Sequence, residues 1–373
     1  MIYLDYAAST PLDPRVLEAM LPYLKEQQGN PSSIHQFGQG TRRAIDEARN
    51  IVIEWLGAFS THEIVFTGSG TESCNMAIFG AAFARQEQGK HLVVSAMEHP
   101  AVLESARYLR DNFGFELTEV KPDSEGMMQV SEVESVLRED TILVSVMMVN
   151  NEVGSIQPVK EIAAICRGKG ILFHTDACQA PGNVPVNVED LQVDLLSING
   201  SKIYGPKGVG LLYIREGVKI TPLIHGGGQE FRMRGGTENT ANIVGFAKAL
   251  QLLEESTPLL RDQLLDELLK IDGVSLNASI ENRVSTNINL HVTGISGESL
   301  VMRLDMEGLA TSSGSACSAG KTEASHVLLA MGQSEQKALE SLRLSLGRFT
   351  TEEEVKESVE TLKTVIKDLH ATR

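Results

Sequence analysis

Residues 142–149 read Ile142-Leu143-Val144-Ser145-Val146-Met147-Met148-Val149. One polar side chain in eight leaves no face of a strand for water, so the stretch predicts a strand covered on both sides. Working outward, further strand-like runs fall at Glu63–Phe66, Leu92–Ser95, Ile171–Thr175, Asp194–Ile198 and Val209–Ile214. Helix-like stretches separate them at Glu72–Arg85, Ala101–Asn112 and Lys160–Arg167. That alternation predicts an α/β fold with a doubly wound, mostly parallel sheet.

After about Thr237 the pattern changes. Two helical stretches, Thr240–Glu255 and Leu259–Lys270, lead to a strand candidate at Asn287–Val292, a helix at Glu298–Met306 and a last amphipathic helix from about Glu352. Thr351 with Glu352, Glu353 and Glu354 suits that helix start, because acids complement the positive end of the helix dipole. We therefore expect a large domain over residues 12–258. A smaller α/β domain would combine residues 1–11 with 259–373, since the strand-like Ile2–Tyr6 is too short to stand alone.

The chain has 373 residues, of which 42% are hydrophobic and 22% charged, an ordinary globular composition. Its 49 acids against 33 bases leave a formal charge of −16. Such a chain repels polyanions, so neither nucleic acid nor an anionic membrane is expected as a partner. No apolar run reaches the length of a membrane span. The first residues lack the basic and apolar regions of a secretory signal. The four cysteines, Cys74, Cys166, Cys178 and Cys317, are scattered without a CxxC pair. Neither a disulfide framework nor a metal site is expected, and a cytoplasmic location is.

Four segments carry candidate chemistry. Thr67-Gly68-Ser69-Gly70-Thr71-Glu72-Ser73 follows a strand and opens a helix, where free N–H groups and hydroxyls favour a phosphate; a plain capped turn reads the same way. No Gly-Lys-Ser/Thr follows, so it is not a Walker motif. Phe173-His174-Thr175-Asp176 ends a strand in an acid at the carboxyl edge, either a helix cap or a partner for a cationic ring nitrogen. Asn199-Gly200-Ser201-Lys202 places a lysine just past the next strand, where a pocket can deprotonate it for Schiff-base chemistry. Thr311-Ser312-Ser313-Gly314-Ser315-Ala316-Cys317-Ser318 sets one cysteine in a loop of small residues that offers it little to pack against; the other three cysteines read as packing residues. Phosphate turn, strand-end acid and lysine together outline a pyridoxal 5′-phosphate site.

The whole chain then resembles the cysteine desulfurases of the NifS/IscS type, pyridoxal-phosphate enzymes of the class V aminotransferase, fold type I group. The resemblance rests on Tyr3-Leu4-Asp5-Tyr6-Ala7-Ala8, Gly29-Asn30-Pro31-Ser32-Ser33, Glu98-His99 and Asn150-Asn151-Glu152-Val153-Gly154. It continues through His225-Gly226-Gly227-Gly228-Gln229-Glu230, Arg234-Gly235-Gly236-Thr237, the cysteine loop and Arg343-Leu344-Ser345-Leu346-Gly347-Arg348. The long cysteine loop is similar to that of group I, the branch serving iron–sulfur assembly and tRNA thiolation.

The resemblance implies a role for each matching position. Lys202 is the Schiff-base lysine and the base for the Cα proton. Asp176 is the ring-nitrogen partner, Gln179 and Asn151 bond the ring oxygen and its surroundings, and His99 stacks on the ring and shuttles protons. Gly70 and Thr71 form the phosphate turn. Asn199 and Ser201 replace the family's usual Ser and His, and both keep hydrogen-bonding capacity toward phosphate. Thr237 reaches the phosphate from the other subunit of a homodimer. Arg343 holds the substrate carboxylate, and Cys317 accepts the sulfur as a persulfide while L-cysteine becomes L-alanine. The implied partners are L-cysteine and a sulfur-acceptor protein, an iron–sulfur scaffold or sulfur carrier. A selenocysteine lyase or another class V aminotransferase is the alternative on the same scaffold.

Overall fold

The computed structural model describes residues 1–314 and 323–371. Its twelve strands are β1 (Ile2–Tyr3), β2 (Ile64–Thr67), β3 (His91–Ser95), β4 (Glu116–Val120), β5 (Thr141–Ser145), β6 (Leu172–Asp176), β7 (Leu195–Asn199), β8 (Gly210–Ile214), β9 (Val274–Leu276), β10 (Asn287–Val292), β11 (Leu309–Ala310) and β12 (Ser341–Ser345). The main sheet runs β2-β8-β7-β6-β5-β3-β4. Strands β4, β3, β5, β6 and β7 are mutually parallel, while β8 lies antiparallel between β7 and β2. The expected doubly wound sheet is present. Strand β5 ends at Ser145 rather than running to Val149. Val146 and Met148 still donate to the carbonyls of His174 and Asp176, so the apolar run continues beside β6 as an irregular, buried extension.

Apolar side chains cover both faces of this sheet. One cluster joins Val144, Phe173, Leu196 and Leu211 to the helix Gln36–Leu56; the other joins Leu92, Leu143 and Leu212 to the helices Gly70–Arg85 and Pro100–Phe113. A third cluster gathers Ile2 and Leu4 with residues of β10, β12 and the helices Leu259–Leu268, Gly297–Met306 and Glu352–Ala371. We propose the two units 12–258 and 1–11 with 259–373 on this packing. The N-terminal strand supports it: β1 pairs parallel with β11, and Asp5 bridges to Ser345. Val284, Val327, Leu328, Met331 and Ala338 nevertheless pack into the first cluster, so the later segment also contributes to the large core.

The backbone enters the left-handed region at two informative places. The helix Gln36–Leu56 ends at Gly57, whose φ of 67° suits a residue without Cβ. Glu230, Phe231 and Arg232 adopt φ values of 44°, 56° and 69° in succession. For L-residues that conformation costs about 1–2 kcal/mol each.

Candidate active site

Parallel strands end on one side, and the reactive groups collect there. Asp176 is the last residue of β6 and is buried; its Oδ1 accepts from the Cys178 amide at 2.9 Å. Asn199 ends β7 and caps the short turn Gly200–Lys202, with Oδ1 accepting from the Ser201 amide at 3.3 Å. The helix Gly70–Arg85 starts beside them, capped by the Ser69 hydroxyl, which accepts from the Glu72 amide at 3.1 Å. A Cβ on Gly70 would stand 2.8 Å from the Cys178 sulfur and 2.9 Å from Cβ of Asn199. Glycine is thus required for the helix to start this close to β6 and β7. Gly68 donates its amide to Glu72 Oε2 at 2.9 Å, and Thr71 is exposed.

Lys202 donates from Nζ to the carbonyls of Ala7, at 2.9 Å, and Ala8. Gln179 Nε2 donates to the same Ala7 carbonyl at 2.9 Å. The N-terminal segment therefore orients both side chains. Lys202 and Gln179 share a cavity of about 340 Å³ with Tyr6, Asn150, Tyr204 and Arg348.

His99 caps the helix Pro100–Phe113, its Nδ1 accepting from the Ala101 amide at 3.0 Å. That bond assigns the neutral ring's proton to Nε2. Burial lowers its pKa; Asp176 opposes the shift, and the Lys202 and His326 charges add to it. His326 stands next to this histidine, its Nε2 bonded to the Glu98 carbonyl at 2.9 Å. Behind them His174 is fully buried, its Nδ1 bonded to Ser145 Oγ at 2.8 Å and its Nε2 to Ser197 Oγ at 3.0 Å. Burial takes its pKa down to about 4. The acid next to His99, Glu98, is also buried and accepts from the Met147 amide, and burial raises its pKa well above the usual carboxylate range.

Arg343 lies on β12, only 3% exposed. Its Nη2 pairs with Asp5 at 2.7 Å, its Nη1 donates to the Asn151 carbonyl at 3.0 Å, and its Nε has no partner among the described residues. Asn151 thus meets Arg343 through its backbone. The turn itself is built by Asn150, whose side chain donates to Met97 O and accepts from the amides of Glu152 and Val153, each at 2.9 Å.

Two expected residues stand apart. Thr237 is exposed and lines a separate cavity of about 230 Å³ with Gly68, Gly208, Arg234 and Glu238. Cys317 falls outside the described residues; the stem before it is held by backbone bonds between Ser312 and Arg343. Of the cysteines read as packing residues, Cys74 and Cys166 are buried, but Cys178 is half-buried beside Asp176. Sequence reasoning missed the Ala7 and Ala8 carbonyls and Asp5. Their only cue was the N-terminal Tyr3–Ala8 motif, because alanine carbonyls carry no side-chain signal.

The family description aminotransferase class-V matches residues 2–357. The chain belongs to the class-V aminotransferase family. Within it, the chain is of the NifS/IscS cysteine-desulfurase type. The cysteine desulfurase IscS of Dictyoglomus turgidum is 50% identical across 99% of this chain and 95% of its own length. The IscS of Methanosarcina thermophila is 47% identical across 99% and 92%. Among solved structures, a NifS-like protein superposes with a TM-score of 0.91 at 37% identity, covering 99% of both chains. The structure of SspA in complex with cysteine superposes at 0.85 with 38% identity, covering 94% of this chain and 100% of that one. Class-V enzymes of this type depend on pyridoxal 5′-phosphate. The residues here fit that cofactor: a glycine-tight helix start for a phosphate, a buried acid at the neighbouring strand end and a lysine one turn beyond.

Proposed function

We propose that the chain is a pyridoxal-phosphate-dependent cysteine desulfurase that converts L-cysteine to L-alanine and moves the sulfur onto Cys317. The observation that carries this reading is the gathering at one sheet edge of Asp176 at the end of β6, Lys202 in the turn after β7 and His99 at the head of the helix after β3. When bound, the cofactor supplies an electron sink for charge developing at the substrate Cα.

The chain's own residues do the rest. Gly70, Thr71, Asn199 and Ser201 would hold the phosphate, Asp176 the ring-nitrogen proton, and Gln179 and Asn151 the ring substituents. His99 would cover the ring face. Arg343 binds the substrate carboxylate through its guanidinium fork, with the partly exposed Asp5 giving way to it. Lys202 removes the Cα proton, and His99, held neutral by burial, exchanges protons beside it. In the transfer the substrate C–S bond breaks and an S–S bond forms on the Cys317 thiolate. One sulfur atom moves, L-alanine leaves, and Cys317 carries a persulfide.

A homodimer completes the site. Thr237 serves the phosphate of the second copy, a reading supported by its exposure and by its lining a cavity other than that of Lys202. A sulfur-acceptor protein, an iron–sulfur scaffold or sulfur carrier, then takes the persulfide sulfur. Among the described residues no helix is long and apolar enough to cross a membrane. The cytoplasm is the location we propose, on the likeness to the IscS relatives.

The test is incubation with L-cysteine while alanine, sulfide and the visible spectrum are followed. Lys202→Ala should lose alanine and sulfide together. Cys317→Ser should keep the spectral change on adding cysteine and lose both products, since a hydroxyl is a poor nucleophile toward sulfur. Normal alanine output from Cys317→Ser would replace this reading with a lyase or aminotransferase.

A further inference from the structure

Three successive non-glycine residues in the left-handed region, Glu230, Phe231 and Arg232, persist only where the surroundings over-determine them. The helix Gln36–Leu56 supplies the constraint. Arg49, 2% exposed, donates from Nη2 to Glu230 Oε1 at 2.9 Å and from Nη1 to Glu230 Oε2 at 3.0 Å. Its Nη1 also reaches the Ile64 carbonyl, and the Phe66 amide donates to Glu230 Oε2 at 2.9 Å. The guanidinium carbon stands 4.9 Å from the ring centre of Phe66 and 5.0 Å from that of Phe231. Every polar atom of this buried carboxylate is thus used in one backbone arrangement.

A second contact from the same helix closes the other end of the segment. Arg42 precedes Arg49 by seven residues, two helical turns, and so shares its face. Its Nη2 pairs with Glu238 Oε1 at 2.6 Å. Between the two clamps, Gly235 donates to the Ile224 carbonyl at 2.9 Å. Arg234 reaches Glu72 Oε1 at 2.9 Å, on the residue whose other oxygen accepts from Gly68 in the phosphate turn. Thr237 is left exposed immediately before Glu238.

We propose that the Arg42–Arg49 face of this helix is a positioning device. It sets residues 230–238 so that Thr237 is presented, already ordered, to the cofactor phosphate of a second copy of the chain. The proposal rests on the assignment of Thr237 to the phosphate of that second copy. Arg42, Arg49 and Glu230 are positioning residues and touch no cofactor. The strained turn stores Thr237 in one geometry, so the entropy of ordering is spent on folding rather than on binding.

The experiment is a cycle among Arg49→Met/Glu230→Met, Thr237→Ala and the triple variant, reading the dissociation constant for pyridoxal 5′-phosphate by absorbance. Thermal midpoints of the same proteins are measured alongside. Replacing both ion-pair partners by similar apolar volumes leaves no buried unpaired charge, so the double variant is expected to fold. It should weaken cofactor binding about tenfold, as Thr237→Ala does, and the triple variant should be no weaker than Thr237→Ala alone, because coupled residues do not add. A merely structural role would lower the midpoint without that coupling. The proposal is overturned if the double variant binds cofactor normally while Thr237→Ala does not, or if the two losses multiply in the triple variant. Unchanged binding in Thr237→Ala would overturn the reading of Thr237 first and this proposal with it. Arg42→Gln, at a partly exposed side chain, covers a double variant that does not fold. It should weaken binding about threefold, and an unchanged constant overturns the proposal.

Discussion

Arg49 and Arg343 are both buried, both paired with a carboxylate, and differ in how exposed that carboxylate is. Arg49 spends both terminal nitrogens on Glu230 and a backbone carbonyl, between two aromatic rings. Arg343 pairs once with Asp5, whose side chain is 19% exposed, bonds the Asn151 carbonyl, and keeps Nε unpartnered among the described residues. The comparison separates an arginine whose carboxylate partner is itself buried, and which does structural work, from one whose carboxylate partner is partly exposed and can exchange with another anion.

The largest effect that would sharpen this contrast is on activity. Arg343→Ala should lower kcat/KM for L-cysteine by about 100-fold or more, and Arg343→Lys should not restore it, because an ammonium lacks the planar fork. Steady-state alanine production checks this, and a fully active Arg343→Lys would break the comparison. At the other arginine the effect falls on stability. Arg49→Ala strands the Glu230 charge in the interior and should cost about 3–5 kcal/mol in denaturant unfolding. A loss no greater than that of Arg343→Ala would mean that burial of the carboxylate partner does not distinguish the two sites.

Histidines extend the contrast. His174 spends both nitrogens on serines, whereas His99, among the described residues, hydrogen-bonds through Nδ1 alone. The folded-state pKa of His174 is depressed to about 4. Its contribution to stability is therefore present above the unfolded value of about 6.5 and lost as pH falls toward 4, up to about 3 kcal/mol. Unfolding curves between pH 7 and pH 4.5 should fall more steeply for the parent than for His174→Gln. Parallel pH profiles would show that the buried imidazole titrates normally. The smallest effect concerns Asp5, whose pair with Arg343 would compete with a substrate carboxylate under the proposed role of that arginine. Asp5→Asn should lower the KM for L-cysteine by about two- to threefold, the scale of a partly exposed ion pair. A raised KM would make Asp5 a support for the fork rather than its competitor.

How much of this was legible depended on the range of the signal. The strand runs at Leu92–Ser95, Ile171–Thr175 and Asp194–Ile198 were readable because burial on both faces removes polar residues from the run itself. Strand β4, Glu116–Val120, escaped notice because an edge strand keeps polar side chains. The antiparallel course of β8 was invisible for another reason: Val209–Ile214 reads the same in either direction. Asp176 could be picked out since it ends a strand run and Lys202 since it follows the next strand by a short small-residue turn, but Thr237 and Arg343 only through resemblance to relatives.

The amino-acid sequence by itself determined the sheet, the carboxyl-edge position of Asp176, Asn199 and Lys202, and the chemistry those groups suit. Each of these comes from side-chain patterns a few residues long. Only the tertiary structure decided that Ala7 and Ala8 orient Lys202, that Asp5 pairs with Arg343, and that Arg49 locks Glu230 from 181 positions away. These depend on where distant backbones meet. Hydrogen bonds form within about 3 Å regardless of separation along the chain, and nothing local in a sequence encodes that distance.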